Sequence, residues 1–185
     1  MANSIKDPIS VSIIGGSGYT GAELIRLISK HPHFELNQVV ANRNAGKKIQ
    51  DIFPHLRHLN IPDFINFEEM NFDNVDLIFC ALPHATSQEI IVRIPEGKKI
   101  IDLSADFRLE QVEEYERWYG SKHIAHSLQE KAVYGLTEIY KEKIKKGSLI
   151  ACTGCNSAAS LYPVLPLLNE GIINCDSLTI NLGAG

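Results

Sequence analysis

The sequence lacks any apolar run close to the roughly 20 residues that a membrane-spanning helix needs. Positive charge is not in excess either, because 22 acidic residues outnumber 18 lysines and arginines and give a formal net charge of −4. A protein that binds nucleic acid usually carries a basic face. The composition therefore favours neither a membrane protein nor a nucleic-acid partner.

Cysteine is scarce: four unevenly spaced cysteines in 185 residues do not form a disulfide framework. A reducing compartment would keep them as thiols. Residues 1–8 contain no basic segment followed by an apolar stretch, so no secretory signal is expected. We therefore expect a cytoplasmic protein.

The 44% apolar and 22% charged residues are typical of a soluble globular domain. Apolar strand patterns alternate with helical patterns along the chain, which predicts an α/β fold with a mainly parallel sheet. The predicted strands cover residues 9–14, 34–41, 75–81, 99–103 and 148–151. The predicted helices cover residues 22–28, 86–93, 110–119 and about 156–168, the last interrupted or kinked by Pro163 and Pro166.

A glycine-rich segment follows the first predicted strand and precedes the first predicted helix. In this context, glycines let the backbone approach a pyrophosphate, and the helix start offers free N–H donors. The alternative is a glycine-rich loop without a ligand. We predict a dinucleotide-binding turn whose contact residues are Gly15, Gly16, Ser17, Gly18, Tyr19, Thr20 and Gly21.

The end of the second predicted strand indicates the type of cofactor. A site for NAD commonly has an Asp or Glu there, about 20 residues beyond the glycines. This chain has Asn42 and Arg43 instead, followed by Lys47 and Lys48. A guanidinium group suits the 2′-phosphate of NADP. The sequence thus favours NADP, unless Arg43 is a solvated loop residue.

Cys155 follows a predicted strand and Gly154, and it precedes a predicted helix. The positive end of a helix dipole favours the nucleophilic thiolate. Asn156 could cap this helix or orient a substrate. Cys155 is therefore a candidate nucleophile, and the alternative is a buried structural cysteine.

Cys152 and Cys155 also form a C-x-x-C pattern, which is found in redox dithiols and metal sites. A thioredoxin-type motif would follow the first strand of a small domain. A zinc site needs further ligands, and the histidine pairs at 31/33 and 55/58 are distant in sequence. We expect neither a dithiol nor a metal.

Three further motifs accompany the glycine turn: A-L-P-H at residues 81–84, D-L-S-A-D-F-R-L at 102–109 and V-Y-G-L-T-E at 133–138. Together they resemble the N-acetyl-γ-glutamyl-phosphate reductase family, which is related in fold and chemistry to the aspartate-semialdehyde dehydrogenases. The resemblance covers nearly the whole chain, and the D-L-S-A-D-F-R segment is its most specific part.

The resemblance implies a Rossmann-type NAD(P)-binding domain over residues 1–155. Residues 156–185 would form the nucleophile helix and the beginning of a truncated α+β substrate and dimerisation domain. An apolar pattern at residues 177–182 is typical of a strand and agrees with this expectation. The full-length protein would be a homo-oligomer, with its acid–base histidine beyond residue 185.

The resemblance also assigns roles. Cys155 would form a thioester during the NADPH-dependent reduction of an acyl phosphate to a semialdehyde, with release of phosphate. Pro83 would lie near the nicotinamide, and Arg108 would bind the acyl-phosphate oxygens. The alternative for Arg108 is a structural ion pair with Asp102 or Asp106.

The sequence departs from the family at the nucleophile. Residues 153–159 read T-G-C-N-S-A-A, whereas the family commonly has P-G-C-Y-P-T. The segment resembles the G-C-N-A-T-A form of a branch that acts on carrier-protein-bound glutamyl or aminoadipyl phosphates, in arginine or lysine biosynthesis. Asn156 would then be a substrate contact. An aspartate-semialdehyde dehydrogenase and a catalytically inactive nucleotide-binding module are the alternatives.

Overall fold

A computed structural model of the protein describes residues 7–183. Residues 1–6 and 184–185 lie outside the described range. Residues 1–6 belong to the segment in which no secretory signal is expected. Seven parallel strands form one sheet, in the order β3-β2-β1-β4-β5-β7-β6. The strands are β1 (Ile9–Ile14), β2 (Phe34–Val40), β3 (Phe64–Ile65), β4 (Leu77–Cys80), β5 (Lys99–Asp102), β6 (Val133–Gly135) and β7 (Leu149–Cys152).

Helices connect most of these strands. They are α1 (Tyr19–Ile28), α2 (Ile49–Ile52), α3 (Thr86–Ile91), α4 (Val112–Tyr119), α5 (His126–Gln129), α6 (Thr137–Lys146) and α7 (Cys155–Asn169). Single 3₁₀ turns cover Asn42–Asn44, Pro54–Leu56, Phe67–Glu69 and Cys175–Ser177. None of the helices between residues 7 and 183 is long and apolar enough to cross a membrane.

Both faces of the sheet are buried. In β1, Val11 and Ile13 pack with Ile25 of α1 in one cluster, whereas Ile14 packs with Ile78 and other residues in a second cluster. Successive side chains of a strand point to opposite faces, so strands covered on both sides are mostly apolar, although β1 also carries the buried Ser12. This explains the near-continuous apolar strands, and the predicted α/β fold with a parallel sheet is confirmed.

All five predicted strands are present, with ends that differ by one or two residues. Two expectations are wrong. Residues 177–182 do not form a strand: a 3₁₀ turn covers Cys175–Ser177, and no described residue pairs with the segment that follows. A strand needs hydrogen-bonded neighbours as well as an apolar pattern.

The expected interruption of the helix at Pro163 and Pro166 is also wrong, because α7 runs without a break from Cys155 to Asn169 with both prolines inside it; the alternative of a kink stays a prediction. Both prolines are exposed. Each removes one backbone donor. At an exposed position, solvent can bind the carbonyl groups that the prolines leave without a partner.

Candidate active site

The sheet order reverses direction at β1, whose neighbours β2 and β4 lead to opposite edges. Ligands of such sheets bind outside the carboxyl ends of the strands at this point. A cleft of about 790 Å³ lies here. Of the predicted cofactor contacts, it brings together Gly15, Ser17, Gly18, Thr20, Asn42, Arg43 and Pro83. Gly16, Tyr19 and Gly21 do not line it.

Three of the four glycines in this turn are required by the protein's own packing. Gly15 has a φ of +89°, and a Cβ atom there would lie 2.7 Å from the carbonyl carbon of Ala81. At Gly16 a Cβ would overlap the side chain of Val39, and at Gly21 it would lie 2.5 Å from the carbonyl oxygen of Gly16. These glycines allow β1, β4 and α1 to approach each other.

Gly18 is different, because no packing contact and no unusual backbone angle requires a glycine. Its φ is −87°, and the nearest atom to a Cβ would be the carbonyl oxygen of Gly15, at 3.9 Å. Gly18 also lines the cleft. A side chain at this position would occupy space in the cleft and would not disturb the protein. The missing side chain thus fits a ligand that lies against the backbone.

The start of α1 supplies donors for such a ligand. Gly18 is the N-cap and has no side chain to bind the first N–H groups, those of Tyr19, Thr20 and Gly21. The first N–H groups of a helix have no acceptor within the helix and attract phosphate. The Tyr19 side chain itself is 95% exposed.

The far side of the cleft carries Asn42 and Arg43. The Asn42 side chain accepts a hydrogen bond from the N–H of Phe67, at 3.3 Å. Arg43 is exposed and takes part in none of the ion pairs found in residues 7–183. The described residues that line the cleft include no Asp or Glu. This side of the cleft is therefore suited to an anionic group.

Cys155 is the first residue of α7, and its thiol is exposed. Gly154 is the N-cap, and the Sγ atom lies 3.9 Å from Oδ1 of the exposed Asn156. The alternative of a buried structural cysteine is thus wrong. β7, which leads into this turn, is separated from β4 only by β5. β7 therefore lies two strand spacings, or about 10 Å, from β4, whose carboxyl end borders the cleft.

Arg108 holds the turn at residues 153–155 in place. This turn is called the nucleophile turn, after the predicted role of Cys155. Its Nε donates to the carbonyl oxygen of Cys152 at 2.7 Å, and its Nη2 donates to that of Leu103 at 2.9 Å. These bonds join the carboxyl ends of β5 and β7. The remaining nitrogen, Nη1, lies 3.2 Å from the position that a Cβ of Gly154 would occupy. Arg108 forms no ion pair with Asp102 or Asp106.

Cys152 differs from Cys155 in environment. It is half-buried, and burial, followed by the nearby charge of Asp102, raises the pKa of its thiol above the usual value. A raised pKa disfavours the thiolate that a redox dithiol would need at this position. Both cysteines are free thiols. No group of three or more His, Cys, Asp or Glu within residues 7–183 is arranged to hold a metal ion.

A second cleft of about 420 Å³ lies beside the nucleophile turn and was not predicted from the sequence. It is lined by residues that include Arg108, Tyr134, Lys143 and Ser157. The hydroxyl groups of Tyr134 and Thr153 are hydrogen bonded at 2.6 Å, which connects β6 to the turn. Only the V-Y-G-L-T-E motif, which contains Tyr134, marked this region in the sequence.

The parallel sheet and the glycine turn at its point of reversal define a dinucleotide-binding α/β domain. Residues 10–147 match the family described as "Semialdehyde dehydrogenase, NAD binding domain". The chain belongs to this family. The resemblance that the sequence motifs indicated is thus confirmed.

Relatives with known names agree. The chain is 51% identical over 175 residues to an N-acetyl-gamma-glutamyl-phosphate reductase of Rhodobacter capsulatus, a match that covers 95% of this chain and 51% of the relative. A relative from Cereibacter sphaeroides has the same name and is 51% identical over 176 residues. That match covers 95% of this chain and 52% of the relative. The chain thus spans about half the length of these relatives.

The fold is shared with solved structures. An aspartate semialdehyde dehydrogenase of Candida albicans, solved with NADP, superimposes with a TM-score of 0.63 at 21% identity. The match covers 89% of this chain and 48% of that protein. At this identity the similarity shows the fold alone.

Proposed function

We propose that this chain provides the cofactor site and the nucleophile of an NADPH-dependent N-acetyl-γ-glutamyl-phosphate reductase. One observation carries the proposal: an exposed thiol begins a helix at the same edge of the sheet as the dinucleotide cleft. The names of the relatives that are 51% identical support this reaction. Residues 1–155 would be the cofactor domain, and residues 156–185 would begin the substrate domain.

The cofactor proposal rests on the two sides of the cleft. Gly18 leaves its backbone open to a pyrophosphate, which the N–H groups of Tyr19 and Thr20 would bind. Arg43 would bind the 2′-phosphate, since no carboxylate among the described lining residues opposes it. NADPH in this cleft supplies the hydride that reduces the substrate carbonyl carbon.

The nucleophile turn provides the covalent step. The Cys155 thiolate attacks the acyl-phosphate carbonyl carbon, a C–S bond forms, the C–O bond to phosphate breaks, and phosphate leaves. The Nη1 group of Arg108 would bind the phosphate oxygens. After reduction, the C–S bond breaks, the thiolate is released, and the semialdehyde forms. A histidine beyond residue 185 would protonate the oxyanion that hydride transfer leaves and take the same proton back as the C–S bond breaks.

The substrate has two candidates. The names of the relatives favour the acetylated glutamyl phosphate of arginine biosynthesis. Asn156, directly after the nucleophile, favours the carrier-bound glutamyl or aminoadipyl phosphate indicated by the sequence resemblance. We propose the acetylated substrate, with a cytoplasmic homo-oligomer as the assembled enzyme.

Turnover of the purified full-length enzyme, which includes the proposed substrate domain and its histidine, tests the proposal. With N-acetyl-γ-glutamyl phosphate, we expect NADPH oxidation and phosphate release in equal amounts, and slower turnover with β-aspartyl phosphate. Iodoacetamide should alkylate Cys155 in equimolar amount, and the substrate should protect it. Turnover only with a carrier-bound substrate would support the second candidate. NADPH binding with neither turnover nor alkylation of Cys155 would instead indicate an inactive binding module.

A further inference from the structure

A buried carboxylate lies outside the cofactor cleft and binds the segment that forms one of its walls. Asp106 is fully buried. Its Oδ1 accepts hydrogen bonds from the N–H of Ala85 at 2.7 Å and from the hydroxyl of Tyr115 at 2.8 Å. Its Oδ2 accepts from the N–H of Gln88 at 2.9 Å. Asp106 thus binds two backbone groups at the start of α3.

Ala85 has an unusual backbone. Its φ is +66°, the single positive value among the non-glycine residues between 7 and 183. This region is unfavourable for residues with a Cβ and persists only where the surroundings impose it. The bond from the Ala85 N–H to Asp106 is such a constraint. Without it, the turn would be expected to relax toward a negative φ.

This turn forms part of the cofactor cleft. Pro83 and Thr86, on either side of residues 84–85, both line it, and so does Ile90 of α3. The φ of Ala85 sets the direction in which the chain leaves β4 and enters α3. A change at Ala85 would therefore move Pro83 relative to the glycine turn, while the glycine turn itself would stay in place.

Asp106 is itself held from several sides. Its N–H donates to the Ser104 hydroxyl at 3.1 Å, and its carbonyl oxygen lies 2.9 Å from Nε2 of His123. Burial, followed by the hydrogen bond to Asp106, raises the pKa of Tyr115 above its usual range, so this phenol stays a donor. The carboxylate therefore has little freedom to follow α3 if the turn relaxes.

We propose that Asp106 is a positioning residue for the cofactor: it holds Ala85 at positive φ and thereby fixes the cleft wall of residues 83–86. The proposal rests on the cofactor cleft described above as the site of NADPH. It also assigns a task to the second Asp of the D-L-S-A-D-F-R segment. Arg108 of the same segment fixes the nucleophile turn, so one loop after β5 positions both halves of the site.

Asp106→Asn tests this proposal with little change in shape. The amide nitrogen cannot accept a hydrogen bond, so one backbone N–H of the pair loses its acceptor. We expect the Kd for NADPH, measured by its fluorescence, to rise about tenfold. Asp76→Asn is the control, because Asp76 also accepts from a backbone N–H, that of Ser10 at 2.9 Å, but at the opposite edge of the sheet. Its Kd should match that of the wild type.

A second substitution distinguishes positioning from general stability. Glycine adopts a φ of +66° without strain. Ala85→Gly in the Asp106→Asn background should therefore restore most of the NADPH affinity, although it should not restore the free energy of unfolding. A purely structural Asp106 would predict no recovery of affinity.

The proposal stays testable if Asp106→Asn does not fold. Ala85→Val alone, with a β-branched side chain at positive φ, should raise the Kd for NADPH about tenfold. Equal affinity in folded Asp106→Asn, or in Ala85→Val, would overturn the proposal. If the wild type bound no NADPH, the proposed function would fail instead, so the two failures are distinguishable.

Discussion

Two turns at the same edge of the sheet differ in how they are held. The glycine turn after β1 is held by packing: Gly21, Ala22, Ile25 and Ile28 of α1 are buried, Gly15 and Gly16 lie against Ala81 and Val39, and Gly21 lies against Gly16. The nucleophile turn after β7 leads into α7, in which none of the fifteen residues is buried. Packing therefore defines the first turn. The second depends on hydrogen bonds from Arg108 and Tyr134.

The two turns are thus held differently, although the loop after β5 contacts Ala85 at the cofactor cleft and Cys152 before Cys155. A change within one turn should leave the function of the other turn measurable. Substitutions at individual positions test this expectation.

Cys155→Ser should have the largest effect. In the full-length enzyme, loss of the nucleophile should lower kcat for acyl-phosphate reduction by about 10⁴-fold or more, as is typical when a covalent catalyst is removed. NADPH affinity should be unchanged, because the thiol is not part of the cleft. Stopped-flow turnover and fluorescence titration measure the two quantities, with the exposed Cys175→Ser as control. A weaker affinity for NADPH in Cys155→Ser would show that the two turns are coupled.

Gly18→Ala should be next. The new methyl group has space within the protein but would enter the cleft, so we expect about a hundredfold loss of NADPH affinity, or about 2.8 kcal/mol. The free energy of unfolding without ligand should change by less than about 0.5 kcal/mol. Calorimetric titration measures the NADPH affinity, and urea denaturation measures the free energy of unfolding. Normal affinity would mean that the backbone at Gly18 does not approach the cofactor.

Gly21→Ala, three residues away, should show the opposite pattern. Its Cβ would lie within 2.6 Å of three backbone atoms of Gly16, which cannot yield as the end of a side chain can. Overpacking of this kind costs about 1–3 kcal/mol. We expect a drop of roughly 2 kcal/mol in the free energy of unfolding, measured by urea denaturation. A stable Gly21→Ala variant would contradict the packing role.

These two glycines show what the sequence could and could not predict. The spacing of Gly16, Gly18 and Gly21 after an apolar strand correctly predicted the turn. It could not separate packing glycines from a ligand-facing one, because that distinction depends on Val39 and on other segments that are distant along the chain.

The same limit applies elsewhere. β4 and β7 were predicted because strands with two buried faces carry almost uninterrupted apolar residues. β3 and β6, of two and three residues, are too short to show a period. The D-L-S-A-D-F-R segment was recognised, but its bonds to Ala85 and to Cys152 arise from tertiary contacts that no spacing reveals.

The smallest expected effect is the pH dependence of the free energy of unfolding. It concerns His123, which contacts Asp106, the residue proposed to hold the cleft wall of residues 83–86. His123 is buried, and Nε2 contacts the carbonyl oxygen of Asp106, whereas Nδ1 accepts from the N–H of Ala125 at 3.3 Å. Nε2 therefore carries the proton of the neutral ring. Burial lowers the pKa of His123 below the usual value of 6.5.

A histidine with a lowered pKa binds a proton less tightly in the folded protein than in the unfolded chain. Its contribution to stability is present above about pH 6.5 and is lost as the pH falls through the lower, folded value. The free energy of unfolding should thus decline between pH 7 and pH 5, by about 1 kcal/mol or less. His123→Gln should flatten this decline in urea titrations, while the exposed His58→Gln should not. An unchanged slope in His123→Gln would show that the decline in stability does not come from His123.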